Sequence, residues 1–68
     1  MQKVPNETIL RLRDVLSRTG LTRSMAYALI KDANFPKPVS LGPRAVGWLE
    51  SEIDGWIAAR VHVSRSSV

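Results

Sequence analysis

Residues 19–31 read Thr19-Gly20-Leu21-Thr22-Arg23-Ser24-Met25-Ala26-Tyr27-Ala28-Leu29-Ile30-Lys31. Gly20 follows one apolar helical pattern, at the place where a helix C-cap with positive φ is needed. Thr22 is a candidate N-cap of a second helix, because its hydroxyl can accept a hydrogen bond from a free N–H group of the first turn. Since only Gly20 to Thr22 separate the two patterns, the stretch predicts a helix-turn-helix unit.

The second helix has two different faces when its residues are placed about 100° apart around a helical wheel. The apolar arc is predicted to enter the core, and it contains Met25, Ala26, Leu29, Ile30 and Ala33. The polar arc contains Arg23, Ser24, Tyr27, Ala28 and Lys31. Two cations, a hydroxyl and a phenol can contact phosphate oxygens and base edges, so this arc is a candidate DNA-binding surface. The alternative is a solvated basic face, the commoner role of short amphipathic helices.

The composition restricts the class of protein. A chain of 68 residues predicts one small domain, without room for an enzyme cleft beside the core. Ten Lys and Arg against six Asp and Glu give a net charge of +4, which fits a polyanionic partner. The chain has no cysteine, and His62 has no ligating neighbours, so we expect no metal, no cofactor and no enzyme activity. The lack of cysteine, of a long apolar run and of a signal-peptide pattern predicts a soluble, cytoplasmic protein.

The chain before the turn predicts a short first helix. Residues 1–8 are polar and give no periodic signal, so we expect a flexible N-terminal arm. Residues 9–12 favour a short extended segment, and residues 13–19 a helix that Gly20 ends. Leu21 is predicted to fill the space between the two helices. The arginines of this part, Arg11, Arg13 and Arg18, are candidates for phosphate contacts or for simple solvation.

After the second helix, two prolines favour extended backbone. Residues 39–41 and 45–49 are compatible with strands and flank Gly42-Pro43-Arg44, which predicts a small hairpin with a basic tip. Arg44 at that tip could reach a phosphate or the minor groove, and an equally good alternative is a solvated turn arginine. Gly47 indicates a bulge or a close approach of the backbone.

The last periodic segment predicts a third helix from Glu52 to about Val61, with Ser51 as its N-cap. Trp48 and Trp56 are expected to anchor the core rather than to stack on bases, because both lie on apolar faces. The helix start is acidic and is expected to face away from DNA. Residues 62–68 are polar and serine-rich, which is typical of a flexible tail. The core stripe consists of Leu49, Ile53, Trp56 and Ile57.

The predicted elements follow one another as helix, turn, helix, basic hairpin and helix. Residues 9–61 are therefore expected to form a mainly α domain with a small β-hairpin, a compact winged helix-turn-helix of three short helices plus a wing. The chain also resembles the AlpA family of prophage regulators over about residues 9–60, through motifs that are specific in combination. These motifs are residues 10–12, 19–24, Tyr27, 29–31, 35–39, 41–48 and 52–57.

That resemblance implies a fold similar to MerR-type DNA-binding domains and to small phage excisionases. It implies a sequence-specific double-stranded DNA-binding regulator of a prophage or integrative element, associated with the nucleoid when bound, that controls integrase expression or excision. Thr22, Arg23, Ser24 and Tyr27 would then lie at the recognition-helix positions, and Arg44 in the wing. One departure is Ala28, where relatives often carry a longer polar or basic residue.

Two alternatives to a transcription regulator stay open. An architectural excisionase would need the same helix and wing, and bending of the bound DNA would favour it. A protein-interaction module such as an anti-repressor would bind its partner independently of salt. Because the chain lacks the long C-terminal dimerisation helix of larger MerR-type regulators, we expect a monomer in solution, with cooperative assembly on DNA as a hypothesis. Integrase is a further candidate partner.

Overall fold

The computed structural model describes residues 7–66, so the first six residues of the predicted arm and the last two of the predicted tail lie outside the described residues. Three helices and a three-stranded antiparallel sheet form a mainly helical fold of the winged helix-turn-helix type, which confirms the predicted class. The elements are β1 (Ile9–Leu10), α1 (Leu12–Thr19), α2 (Arg23–Lys31), β2 (Val39–Gly42), β3 (Ala45–Leu49) and α3 (Glu50–Ser66).

The sheet has the strand order β1-β3-β2. The predicted hairpin is confirmed as β2 and β3, in which Val39 lies opposite Gly47. β1 adds a third strand on the other side of β3, with Leu10 opposite Trp48. Because β1 has only two residues, its pattern is too short to predict its pairing partner from sequence.

The core lies between the helices and one side of the sheet. Trp48 is fully buried, and its indole N–H donates to the carbonyl of Pro36 at 3.0 Å, so its polar end is satisfied. Trp56 packs edge to face on Phe35 with ring centroids 4.8 Å apart. Both tryptophans therefore anchor the core, as predicted. The cluster of buried residues contains Leu10, Val15, Phe35, Trp48 and Ile53.

The start of α3 differs from the prediction. The helix begins at Glu50 because β3 leads directly into it, so Ser51 lies inside the first turn and is not the N-cap. The Glu50 N–H donates to the carbonyl of Thr8 at 2.8 Å. The Ser51 N–H and hydroxyl each donate to the Glu7 carboxylate at 3.1 Å. Residues 7 and 8, expected in the arm, thus satisfy free N–H groups of α3.

The end of α3 also differs, since the helix continues to Ser66 and the predicted end near Val61 is wrong. Residues 62–66, expected in a tail on their composition, are helical. No glycine or proline follows Gly55 up to Ser66, so nothing in this segment interrupts the helix. The Ser66 hydroxyl donates to the carbonyl of His62 at 2.8 Å. Within residues 7–66, no helix is both long and apolar enough to cross a membrane.

Candidate functional site

The turn between α1 and α2 fixes where α2 begins. Gly20 has φ 76° and ψ 9°, and its N–H donates to the carbonyl of Leu16 at 2.8 Å. The Thr22 hydroxyl accepts the N–H of Met25 at 3.2 Å. Both predicted caps are therefore confirmed. Leu21 between them is half-buried against the core, as predicted for a residue that fills the space between the helices.

The inner face of α2 fixes its rotation about its own axis. Ala26 is fully buried, and Leu29 and Ile30 pack, half-buried, against the core cluster. This packed arc is narrower than the predicted one, which also included Met25 and Ala33. Met25 is 51% exposed, so its assignment to the core is wrong. Its neighbour in the chain, Ala26, is the buried residue of this turn of the helix.

Ala33 is the second correction to the predicted apolar arc. α2 ends at Lys31, and Ala33 lies beyond it, exposed, with a left-handed φ of 60°. The chain reverses here through hydrogen bonds from the Ala33 N–H to the carbonyl of Ile30 and from the Asn34 N–H to the carbonyl of Leu29. A helical wheel assumes that every residue is helical. Because Ala33 lies in this turn, beyond the end of the helix, the wheel assigns it to the wrong face.

The outer face of α2 carries four of the six predicted site residues, and a fifth, Thr22, is the N-cap that precedes the helix. Within residues 7–66, none of the side chains of Arg23, Ser24, Tyr27 and Lys31 forms a hydrogen bond or ion pair. They are exposed and directed away from the core, so their polar groups are available to a partner. Thr22 is exposed too, and its hydroxyl oxygen already serves as the helix cap.

The sixth predicted residue lies on a separate element. Arg44 is exposed in the turn that joins β2 to β3, at the tip of the hairpin where the sequence predicts it. Its guanidinium makes no ion pair with the described part of the chain. The structure thus offers cations on two elements, α2 and the hairpin tip, and the roles of all six residues stay predictions.

Arg18, a candidate phosphate contact in the sequence, has a different position. Its guanidinium pairs with Glu50 at 2.6 Å and with Asp54 at 3.0 Å, both on the first turns of α3. The acidic start of α3 is therefore partly neutralised by α1. The partners are 32 and 36 positions away along the chain, so no local pattern could have revealed this contact. No three His, Cys, Asp or Glu side chains among residues 7–66 are grouped to hold a metal ion.

The comparisons with known proteins agree with this architecture. A family model described as "Prophage CP4-57 regulatory protein (AlpA)" matches residues 8–61. A protein of Enterobacteria phage P4, "Uncharacterized protein ORF88", is 43% identical over 58 residues, which are 85% of this chain and 66%, just under two thirds, of that protein. The "DNA-binding transcriptional activator AlpA" of Escherichia coli (strain K12) is also 43% identical over 58 residues, with 76% of this chain and 83% of that protein covered. The chain therefore belongs to the AlpA family of prophage regulatory proteins.

Proposed function

We propose that this protein is a sequence-specific double-stranded DNA-binding transcription regulator that places α2 in the major groove. The observation that carries the proposal is the outer face of α2, where Arg23, Tyr27 and Lys31 are exposed and unpaired within the described residues. The opposite face of the same helix is fixed in the core. The E. coli relative, named as a DNA-binding transcriptional activator, supports the same assignment.

The N-terminal end of α2 is the part that would meet base edges, as in helix-turn-helix proteins generally. Arg23 and Ser24 lie in its first turn, immediately after the Thr22 cap. The Arg23 guanidinium matches the two acceptors of a guanine, and the Ser24 hydroxyl can bond to any base or to a phosphate. Tyr27 and Lys31 follow at one-turn intervals and would contact the backbone beside the groove.

The hairpin tip would supply a second contact. Arg44 extends from a two-residue turn between β2 and β3, and a guanidinium on such a turn suits a phosphate or a narrow minor groove. The net charge of +4 favours the approach of this protein to DNA. The pairing of Arg18 with Glu50 and Asp54 reduces the repulsion that two free carboxylates would add.

The biological process that we infer is control of a prophage or integrative element, through integrase expression or excision. Family membership supports this inference, since the family model describes a prophage regulatory protein. A transcription regulator and an architectural excisionase would use the same helix and wing. Circular-permutation gel shifts on the bound site measure its bending, and a large bend would favour the architectural protein.

The first experiment is selection of bound duplexes from a random pool, followed by titration of the best duplex and a scrambled one over a range of salt concentrations. We expect one enriched motif, an affinity at least about a thousandfold above that for the scrambled duplex, and a steep loss of affinity with salt. A pool without enrichment, together with salt-independent binding to a protein, would instead indicate a protein-interaction module.

Two variants assign the roles. Arg23→Ala should weaken binding to the selected duplex by about 1–3 kcal/mol, with a smaller effect on the scrambled one. Arg44→Ala should weaken binding to both and reduce the salt slope by about 1. Arg60→Gln controls for the change in net charge. It also removes one positive charge, but from a side chain that lies over the Trp56 ring and is not one of the proposed DNA contacts. Equal losses on both duplexes for Arg23→Ala would make Arg23 a phosphate contact.

A further inference from the structure

The exposed surface of α2 consists of two rows with different chemistry. Arg23, Tyr27 and Lys31 follow one another at intervals of four residues and form a polar row. Met25 and Ala28 are three residues apart, so they lie beside each other on the helix surface. They form an apolar row, and Ser24 lies between this row and the polar row. Both residues of the apolar row are exposed. A helix in the major groove would present both rows to the DNA.

Met25 is the unexpected member of this surface. It is the most exposed residue among the large apolar side chains of α2, at 51% against 45% for Tyr27. Ala26 beside it is fully buried, so the rotation of the helix is fixed and Met25 cannot turn inward without moving the core contact. Its backbone N–H is held by the Thr22 cap at 3.2 Å, which places it in the first turn, the part nearest to base edges in this class of protein.

An apolar side chain in the major groove has one natural target. Thymine is the base that presents a methyl group there, and contact with an apolar side chain distinguishes it from cytosine. Methionine is unbranched and polarizable, so it adapts to the position of a methyl group. Ala28 is short enough to let the helix approach and adds its own methyl group to the same row.

We propose that Met25, with Ala28 beside it, reads thymine methyl groups, so that the recognised site contains thymine opposite the first turns of α2. This inference rests on the proposed function and specifies which bases its helix selects. The polar row then contacts the phosphate backbone and a guanine, while the apolar row supplies a second element of specificity.

The test uses the duplex selected by the wild-type protein and replaces its thymines, one at a time, with deoxyuridine, which lacks only the methyl group. We expect the affinity to fall about fourfold at one or two thymines, because this is the loss expected when one methyl-sized group is no longer buried. Met25→Ala should lose a similar factor on the unmodified duplex and almost nothing further when the same thymine is replaced. Met25→Leu, which keeps an apolar side chain of similar size, should keep the sensitivity to the methyl group.

The outcomes separate this inference from the function on which it rests. A strong selected motif whose affinity is unchanged by every deoxyuridine substitution would overturn the methyl contact and leave DNA recognition intact. Equal deoxyuridine effects in wild type and Met25→Ala would also overturn it, because independent changes add. A pool that enriches no sequence would overturn the proposed function itself. The deoxyuridine series on the wild-type protein needs no variant, so an unchanged affinity overturns the methyl contact even where Met25→Ala is unstable.

Discussion

Gly47 lies at the one position of the sheet where a side chain cannot fit, and we predict that Gly47→Ala destabilises the domain. A Cβ added there would collide with Cγ2 of Ile9 on β1 and would lie 3.0 Å from the carbonyl oxygen of Leu10 and 3.1 Å from Cδ1 of Leu41. The overlapping atom belongs to the Ile9 side chain, but the Leu10 oxygen is backbone, so turning Ile9 away still leaves a tight contact. β1 then has to shift by a few tenths of an ångström from β3, which loosens the packing of Leu10, a residue that is 6% exposed in the intact core.

The expected cost follows from overpacking. Forcing an extra methyl group into a packed site typically costs about 1–3 kcal/mol. A domain of this size has a free energy of unfolding of about 3–10 kcal/mol, so the loss is a large fraction of the total. Since 1 kcal/mol shifts the melting temperature of such a domain by about 4–8 °C, a loss of about 1–3 kcal/mol should lower the midpoint by about 4–24 °C.

The assay is urea unfolding followed by tryptophan fluorescence, which reports on the buried Trp48, with far-UV circular dichroism as a second probe. Gly55→Ala is the matched control, because a Cβ at Gly55 meets nothing within 4 Å. That control should stabilise the domain by about 0.5–1 kcal/mol, the gain expected inside a helix.

A double-mutant cycle with Ile9 tests the stated cause. Ile9→Ala removes the colliding Cγ2, so Gly47→Ala should cost less in that background, although the contact with the Leu10 carbonyl keeps the recovery partial. Unfolding of Gly47→Ala at the wild-type urea concentration would refute overpacking at this position. An equal cost of the substitution with and without the Ile9 side chain would refute the collision with Ile9 as its cause.

Three smaller changes test the caps and the ion pairs by the same unfolding assay. Thr22→Ala removes the acceptor for the first turn of α2 and should cost about 1 kcal/mol. Ala33→Gly should stabilise the domain by up to about 1 kcal/mol, because Ala33 has a left-handed φ of 60° that glycine adopts without strain; an unchanged midpoint would contradict this. Arg18→Ala breaks exposed pairs with Glu50 and Asp54, so we expect a loss below about 1 kcal/mol that shrinks in 1 M NaCl.

The features that could be predicted from the sequence are those that depend on neighbouring residues. Gly20 and Thr22 mark their helix ends through local backbone chemistry, and the structure confirms both. The hairpin follows from two strand patterns on either side of a tight turn. The requirement for close approach at Gly47 was one of two predicted alternatives, and its partners on β1 appear only in the folded chain.

The features that could not be predicted depend on distant residues or on small differences in packing angle. Glu7 bonds to Ser51 and Arg18 pairs with Asp54, although the partners are 44 and 36 positions apart in the sequence. No periodic pattern encodes such contacts. Met25 lies at the edge of the apolar arc on the wheel, where a small rotation of α2 decides between burial and exposure. Ala26 is fully buried, and Leu29 and Ile30 pack against the core cluster. These contacts together fix the rotation of α2 and leave Met25 exposed, although methionine is hydrophobic.

The distribution of paired and unpaired charges connects the fold to the proposed function. Arg18 is engaged with two carboxylates of α3, whereas Arg23 and Arg44 make no ion pair within residues 7–66. Arg18→Ala should therefore affect DNA binding without touching DNA, since it uncovers two negative charges and removes one positive charge. If that effect is electrostatic, the loss of affinity should be similar for selected and scrambled duplexes and should disappear at high salt. A loss that persists at high salt on the selected duplex alone would instead mean that Arg18 contacts the DNA, contrary to its position in the structure.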